Sequence, residues 1–385
     1  MSTSFKMASK SPGIRTHALL VVLVFVSASP IFGAPEKVVG ALMVMLALVV
    51  SGRFQVAFQL SALISFGLLT FALLPYVMFL DLVRSNEFYV KGLGFWVAMV
   101  AGFVISSQVH KEDLFAAIRS CVMWTLIPGL LLWLLAVLVP SLIDFGPLIE
   151  YGGLELRTFG VTNFQYADDI LVLDRFTGFA SEPGLTQLFL NLALWSYLSQ
   201  HAGRVRWQSM LIMVALVFTR STTGIALMLL VLASTMPWRK LLVGIGALLL
   251  LLPGYLYRFF SYQIEEKLIG SSSFAIRYDR YDFLTNRDLF DVLAGYGNHY
   301  YMNEIVPENL AGWDSFLQLA QVYGLWFPLF LFVALCLVNR KHWVAAIIIV
   351  ATFFAQSIWM MPIIVCFYFA HSVNLGNANF PGAVR

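Results

Sequence analysis

The sequence predicts an all-α integral membrane protein: a polytopic transmembrane helix bundle of about 11–12 spans with two sizeable outer loops. Three observations point there. Sixty per cent of the residues are hydrophobic, 12% are charged and the mean hydropathy is +0.81, which excludes an ordinary soluble domain. Apolar stretches recur from Leu19 to Phe369, many of them long enough to cross a bilayer as helices, whereas barrel strands are short and alternate. The charges are sorted by side. Alternate connections carry Lys6, Lys10, Arg15; Arg53; Lys111, Arg119; Arg204, Arg206; Arg239, Lys240; and Arg340, Lys341, which is half of the 24 basic residues. The same connections hold only Glu112 and Asp113 of the 21 acidic residues. Basic loops stay in the cytoplasm, so the N-terminus is expected inside and the long loops 144–180 and 258–313 outside.

The whole chain, 1–385, reads as one membrane domain with no internal repeat. Its start, Lys6, Lys10 and Arg15 followed by Ala18–Phe32, has the look of a signal peptide. An uncleaved first span suits the charge alternation of every later loop better. The expected spans are 18–34, 38–51, 56–80, 92–109, 118–142, 183–200, 207–219, 222–237, 241–258, 314–338 and 343–371. The last contains Pro362 and is too long for one straight crossing, so two short helices meeting near Gln356–Pro362 are an alternative.

The hairpin of 207–219 and 222–237 is informative. Its first arm rises only about 20 Å, short of the ~30 Å hydrocarbon core. The turn Arg220-Ser221-Thr222-Thr223-Gly224 is therefore expected below the outer surface. A cation at that depth lines a watery cavity or is paired by a neighbouring acid. The cavity makes Arg220 a candidate functional residue; the plain alternative is an arginine that snorkels or is paired to a neighbouring Asp or Glu.

The first outer loop is net acidic and ends in the run Asp174 to Gly184. Ser181 is a good N-cap, Glu182 suits a first helical turn, and Pro183 suits a helix start. The plain reading is a helix beginning. The functional one adds Arg175 facing a phosphate or sugar at an open helix N-terminus. In the second loop, Arg277, Arg280, Tyr281, Leu284 and Arg287 share one stripe if the segment is helical. Arg287 has Asp291 four residues on, while Arg277 and Arg280 form a pair suited to bidentate phosphate recognition. Tyr296, Tyr300, Tyr301 and Trp313 stack on sugars or belong to the interfacial aromatic belt. His299 follows Gly295-Tyr296-Gly297-Asn298 and is the one histidine of the outer loops. Asp314 opens a span, as an N-cap, a general base at the cavity rim, or both. Cys121, Cys336 and Cys366 sit in apolar runs without disulfide or metal spacing, and no basic patch supports nucleic-acid binding.

Three of these segments, in order, resemble signatures of the O-antigen polymerase/O-antigen ligase superfamily of bacterial membrane glycan enzymes. They are the Arg-x-x-Gly-Phe-x-x-Glu-Pro-Gly opening of a span (Arg175 to Gly184), the Arg-Ser-x-x-Gly hairpin (Arg220 to Gly224), and the Gly-x-Gly segment followed by a span opening that runs to Gly324-Leu325. The likeness covers about residues 140–340. It implies a GT-C-like bundle in the bacterial inner membrane with its active site facing the periplasm. It implies metal-independent, inverting glycosyl transfer without a cofactor, from a sugar chain on undecaprenyl diphosphate. Arg175, Arg220 and Arg277 or Arg280 would bind the diphosphate, with Glu182 and Tyr281 in support. Further implied partners are membrane lipid, a flippase and a chain-length regulator (a polysaccharide co-polymerase). The ligase branch carries His at the opening of the late span, where this chain has Trp313-Asp314-Ser315. Asp314 would then be the base, with His299 as the alternative, and the balance tilts to polymerase over ligase. A flippase or transporter is a rival class, but the repeated halves it predicts are missing from the sequence.

Overall fold

A computed structural model describes residues 14–50, 74–86, 93–151, 154–167, 170–172, 175–239, 287–307, 314–359 and 361–370, with isolated residues at 63, 66–67, 70, 261, 281 and 284. The fold is mostly helical. In chain order the helices are α1 (Ile14–Ala28), α2 (Ala34–Val50), α3 (Leu74–Ser85), α4 (Leu93–Gln108), α5 (Lys111–Leu138), α6 (Pro183–Gln200), α7 (Trp207–Phe218), α8 (Thr222–Thr235), α9 (Leu289–Ala294), α10 (Ser315–Tyr323), α11 (Trp326–Val338), α12 (Trp343–Phe353) and α13 (Pro362–Phe369). The expected span 241–258 and most of 56–80 lie outside the described residues.

Among the described residues, α5 alone is long and apolar enough to cross a membrane by itself. Others, such as α1, α7, α8 and α12, are shorter apolar helices. Two expected spans are broken. The stretch 314–338 divides at Gly324, which has φ +84°; a Cβ there would lie 1.9 Å from the Leu293 carbonyl oxygen, so only glycine fits the break. The stretch 343–371 divides at residues 354–361, and α13 restarts with Pro362 at its first turn. The two-helix alternative for that stretch is the one observed.

Helix α6 packs against α5, α7, α8 and α12. Leu188, Phe189, Leu192, Ala193 and Leu194 are all fully buried, as expected of a helix apolar on every side. It also buries Gln187 and Asn191. Asn191 donates to the Gly224 carbonyl at 3.1 Å, and Gln187 donates to Thr352 Oγ1 at 3.3 Å. Buried amides need partners, and these two tie α6 to the start of α8 and to α12.

The segment expected to be the first outer loop is not irregular. It forms an antiparallel meander of β1 (Leu148–Tyr151), β2 (Leu154–Thr158), β3 (Asn163–Ala167) and β4 (Ile170–Val172), with Leu148 opposite Arg157, Arg157 opposite Phe164 and Gln165 opposite Val172. No strand was expected there. The sheet rests on α5 where Gly129 faces the Val161 carbonyl; a Cβ at 129 would lie 2.7 Å from that oxygen. Lys37 of α2 reaches the sheet from another side, donating to the Tyr151 hydroxyl at 2.8 Å.

Candidate functional site

The chain leaves the sheet through residues 175–182, which side-chain hydrogen bonds hold in place. Asn163 donates to the carbonyls of Gly178 and Ala180 at 3.0 and 2.9 Å. The Thr177 hydroxyl donates to the Asn163 carbonyl, and the Thr186 hydroxyl to that of Thr177. α6 then begins. Its N-cap is Glu182, in extended backbone, rather than the expected Ser181, which lies one residue earlier and is buried. Pro183 takes the first helical position, which fixes the cap one residue later than the serine suggests. The Glu182 side chain does not cap the helix, Pro183 has no N–H, and the Leu185 N–H donates back to the Glu182 carbonyl at 3.1 Å.

The backbone segments that carry Arg175 and Arg220 are joined beside this start of α6. The Phe176 N–H donates to the Phe218 carbonyl at 3.0 Å, which joins the segment carrying Arg175 to the end of α7. Arg220 follows two residues on with φ +48°, a left-handed position where helix ends usually place glycine or asparagine. Ser221 caps α8 by accepting from the Gly224 N–H at 3.1 Å. Gly224 packs so closely on Gln187 that a Cβ would lie 2.9 Å from the Gln187 Cβ. The turn 220–224 therefore sits beside the first turns of α6.

Asp314 joins the same region through the 354–361 connection. It caps α10, its Oδ1 accepting from the Leu317 N–H at 2.9 Å, and it is 1% exposed. Its Oδ2 accepts from the Tyr281 hydroxyl at 3.3 Å, so two sequence candidates touch. The neighbouring Ser315 donates through N–H and Oγ to the Gln356 carbonyl at 3.1 and 2.8 Å. The Gln356 side chain reaches Gly184, where a Cβ would lie 2.3 Å from its Nε2. Gln356 thus connects the opening of α10 to the mouth of α6. The sequence marked this residue only as a helix break; what makes it matter is a contact between distant segments, which no local pattern carries.

His299 lies elsewhere. The Gly297 N–H donates to the Val322 carbonyl at 3.0 Å, near the far end of α10 and roughly 12 Å along its axis from Asp314. The His299 N–H donates to Asp81 Oδ1 at 2.9 Å, and its ring Nε2 lies 3.1 Å from the Asn303 amide nitrogen. Asp291 pairs with Arg84 of α3 rather than with the expected Arg287. Tyr296 and Tyr301 are buried, and Tyr296 lies against the Arg84 guanidinium, so packing accounts for both. Arg277, Arg280 and Trp313 fall outside the described residues.

Sequence reasoning also passed over Lys37. It is 7% exposed, and the hydroxyl it bonds belongs to a tyrosine near Glu182. Burial, with the Glu182 charge adding to it, pushes the Tyr151 phenol above its ordinary value, so this partner stays neutral. The available signal was its position: Lys37 is the one basic residue in the short turn between the first two expected spans. Neither the protein-family models nor the curated proteins compared with this chain give a match.

Proposed function

We propose that this chain is a polytopic membrane glycosyltransferase of the bacterial inner membrane. In this reading it is a polysaccharide polymerase that joins undecaprenyl-diphosphate-linked repeat units on the periplasmic face. One observation supports the reading: the backbone segments that bear Arg175 and Arg220 are joined beside the start of α6, with Asp314 linked to the same start through Gln356. The arginines and the helix dipole suit a diphosphate. In the step proposed, an acceptor hydroxyl attacks the anomeric carbon. The bond from that carbon to the diphosphate oxygen breaks with its electron pair going to the diphosphate, and the hydroxyl proton passes to the Asp314 carboxylate. A diphosphate is a good leaving group, so cationic stabilisation does most of the work and a modest base suffices. The backbone conformation of Arg220 supports a role for its side chain, since glycine would serve the turn at lower cost.

The test is the length of the lipid-linked glycan in cells expressing Arg220→Ala in place of the wild type. A polymerase defect leaves single repeat units on the outer face. A ligase defect leaves long chains that stay on the lipid, and a flippase defect leaves no repeat unit outside. Either of the last two patterns overturns the reading. Cysteines placed in 144–180 and 258–313 are expected to react with an impermeant reagent in intact cells; reaction only after lysis contradicts the topology.

A further inference from the structure

Trp359, Gln318 and Ser357 form a chain of hydrogen bonds whose polarity can be read. The Trp359 indole Nε1 lies 2.8 Å from Gln318 Oε1, and Ser357 Oγ lies 2.6 Å from the same atom. An indole N–H only donates, so the atom it meets is the amide oxygen and not the amide nitrogen. That oxygen cannot donate, so the Ser357 hydroxyl gives it its one proton. Only lone pairs are left on Ser357 Oγ, and among the described residues it makes no other hydrogen bond. Ser357 is exposed, so it presents an acceptor and no donor. In the membrane reading an exposed hydroxyl belongs at water, because hydrocarbon offers it no partner. Backbone fixes its place on both sides. The Gln356 carbonyl accepts from the Ser315 N–H and Oγ at 3.1 and 2.8 Å, and the Ile358 N–H donates to Ser315 Oγ at 2.7 Å. Ser315 follows Asp314, and the Gln318 N–H, one turn on, donates to the Asp314 carbonyl at 3.1 Å. The Ser357 acceptor thus sits beside the helix opening that carries Asp314.

We propose that Ser357 is a specificity-determining residue, its Oγ accepting a hydrogen bond from a hydroxyl or amide N–H of the repeat-unit glycan; this rests on the glycosyl-transfer reading above. Trp359 and Gln318 are positioning residues that set the direction of the serine proton. A sugar that presents a donor there is bound. One that presents only an ether or methoxy oxygen is rejected, because two acceptors then face each other unpaired. A phosphate is excluded for the same reason, so Ser357 reads sugar and not diphosphate. The rival role is mechanical: the bonds fasten the 354–361 connection to α10 and meet no substrate.

The experiment uses the full chain in nanodiscs and two probes: the repeat-unit oligosaccharide released from its lipid, and undecaprenyl diphosphate without sugar. Binding of each is measured alongside thermal unfolding. Ser357→Ala is expected to weaken oligosaccharide binding about three- to tenfold, the scale of one net hydrogen bond, and to leave undecaprenyl diphosphate binding and the unfolding temperature unchanged. Ser357→Thr keeps the hydroxyl and is expected to bind the oligosaccharide nearly as wild type does. Equal oligosaccharide binding by Ser357→Ala and wild type overturns the inference, as does a wild type that does not bind it. Parallel loss of both probes with a lower unfolding temperature establishes the mechanical role and also overturns it. The diphosphate reading is judged separately: it fails if Arg220→Ala binds undecaprenyl diphosphate normally, whatever Ser357→Ala does. Should Ser357→Ala not accumulate, alkylation at position 357 of Ser357→Cys decides. Protection by the oligosaccharide but not by undecaprenyl diphosphate supports the proposal, and equal alkylation with both refutes it.

Discussion

The backbone N–H of Phe176 donates to the carbonyl of Phe218 at 3.0 Å, across 42 residues of sequence and the whole of α6. This single bond brings Arg175 and Arg220 into one neighbourhood. Both flanks are tethered independently: Asn163 holds the carbonyls of Gly178 and Ala180, and Asn191 holds that of Gly224. The arginines are therefore carried by braced backbone, which is what an anion site needs if it is not to lose affinity to ordering.

Arg220 separates stability from function. With φ +48° it holds a conformation that costs a non-glycine residue about 1 kcal/mol or more. Arg220→Gly is expected to keep or raise the unfolding temperature, Arg220→Ala to keep the strain, and both to abolish polymer. Arg220→Lys keeps the charge but not the planar fork, and is expected to restore activity only in part. Wild-type chain lengths from Arg220→Gly would show that the side chain serves the fold alone.

Asp314 has two roles that substitution can divide. Its Oδ1 caps α10 through Leu317, and its Oδ2 takes the Tyr281 hydroxyl. Asp314→Asn keeps an acceptor for the cap and loses the base, whereas Asp314→Ala loses both, at about 1 kcal/mol for the cap. Both variants are expected to be inactive at normal or near-normal stability. Near-normal polymer from Asp314→Asn would leave only the cap. His299→Gln is expected to retain activity, because His299 is anchored at the far end of α10. Loss there together with an active Asp314→Asn would transfer the base to His299.

Much of this was legible in the sequence. The hairpin at Arg220, the start of α6 after Glu182, the cap at Asp314 and the break before Pro362 are local patterns set by turn residues and caps within a few positions. What escaped is non-local or weakly patterned. Strands of three to five residues, as in β1 to β4, are too short for alternation to stand out. The Gln356–Gly184 contact, the Lys37–Tyr151 bond and the Arg84–Asp291 pair join segments far apart in the chain, and nothing nearby in sequence announces them. The Ser181 cap misled because Pro183, by favouring the first helical position, sets the boundary more firmly than the serine does.

Two glycines with nearly equal φ test whether packing or backbone strain dominates. Gly324 has φ +84° with the Leu293 carbonyl oxygen 1.9 Å from any Cβ, while Gly160 has φ +78° and open space around it. Gly160→Ala is expected to cost about 1 kcal/mol, from strain alone. Gly324→Ala must also move backbone, and is expected to cost at least about 3 kcal/mol or to prevent accumulation. Thermal unfolding of the purified variants checks this. Equal small losses would mean that the segments 293–295 and 322–324 separate easily.

The last prediction concerns Gly184 and Gln356, the contact that ties the two halves of the candidate site. A methyl group at position 184 would lie 2.3 Å from Gln356 Nε2, but that atom ends a flexible side chain and can swing away. Gly184→Ala is therefore expected to change stability by less than about 1 kcal/mol while lowering polymerisation several-fold, because the displaced amide pulls on the connection that holds Ser315 and, through it, Asp314. Gln356→Ala alone removes the amide and is expected to lower activity less, since Ser315 bonds the Gln356 backbone carbonyl and not its side chain. The double variant carries the argument. If the harm of Gly184→Ala comes from the clash, adding Gln356→Ala restores activity to the level of Gln356→Ala alone, a coupling that neighbouring residues typically show. Losses that simply add would mean that position 184 acts on its own at the mouth of α6, and that Gln356 does not transmit its effect to Asp314.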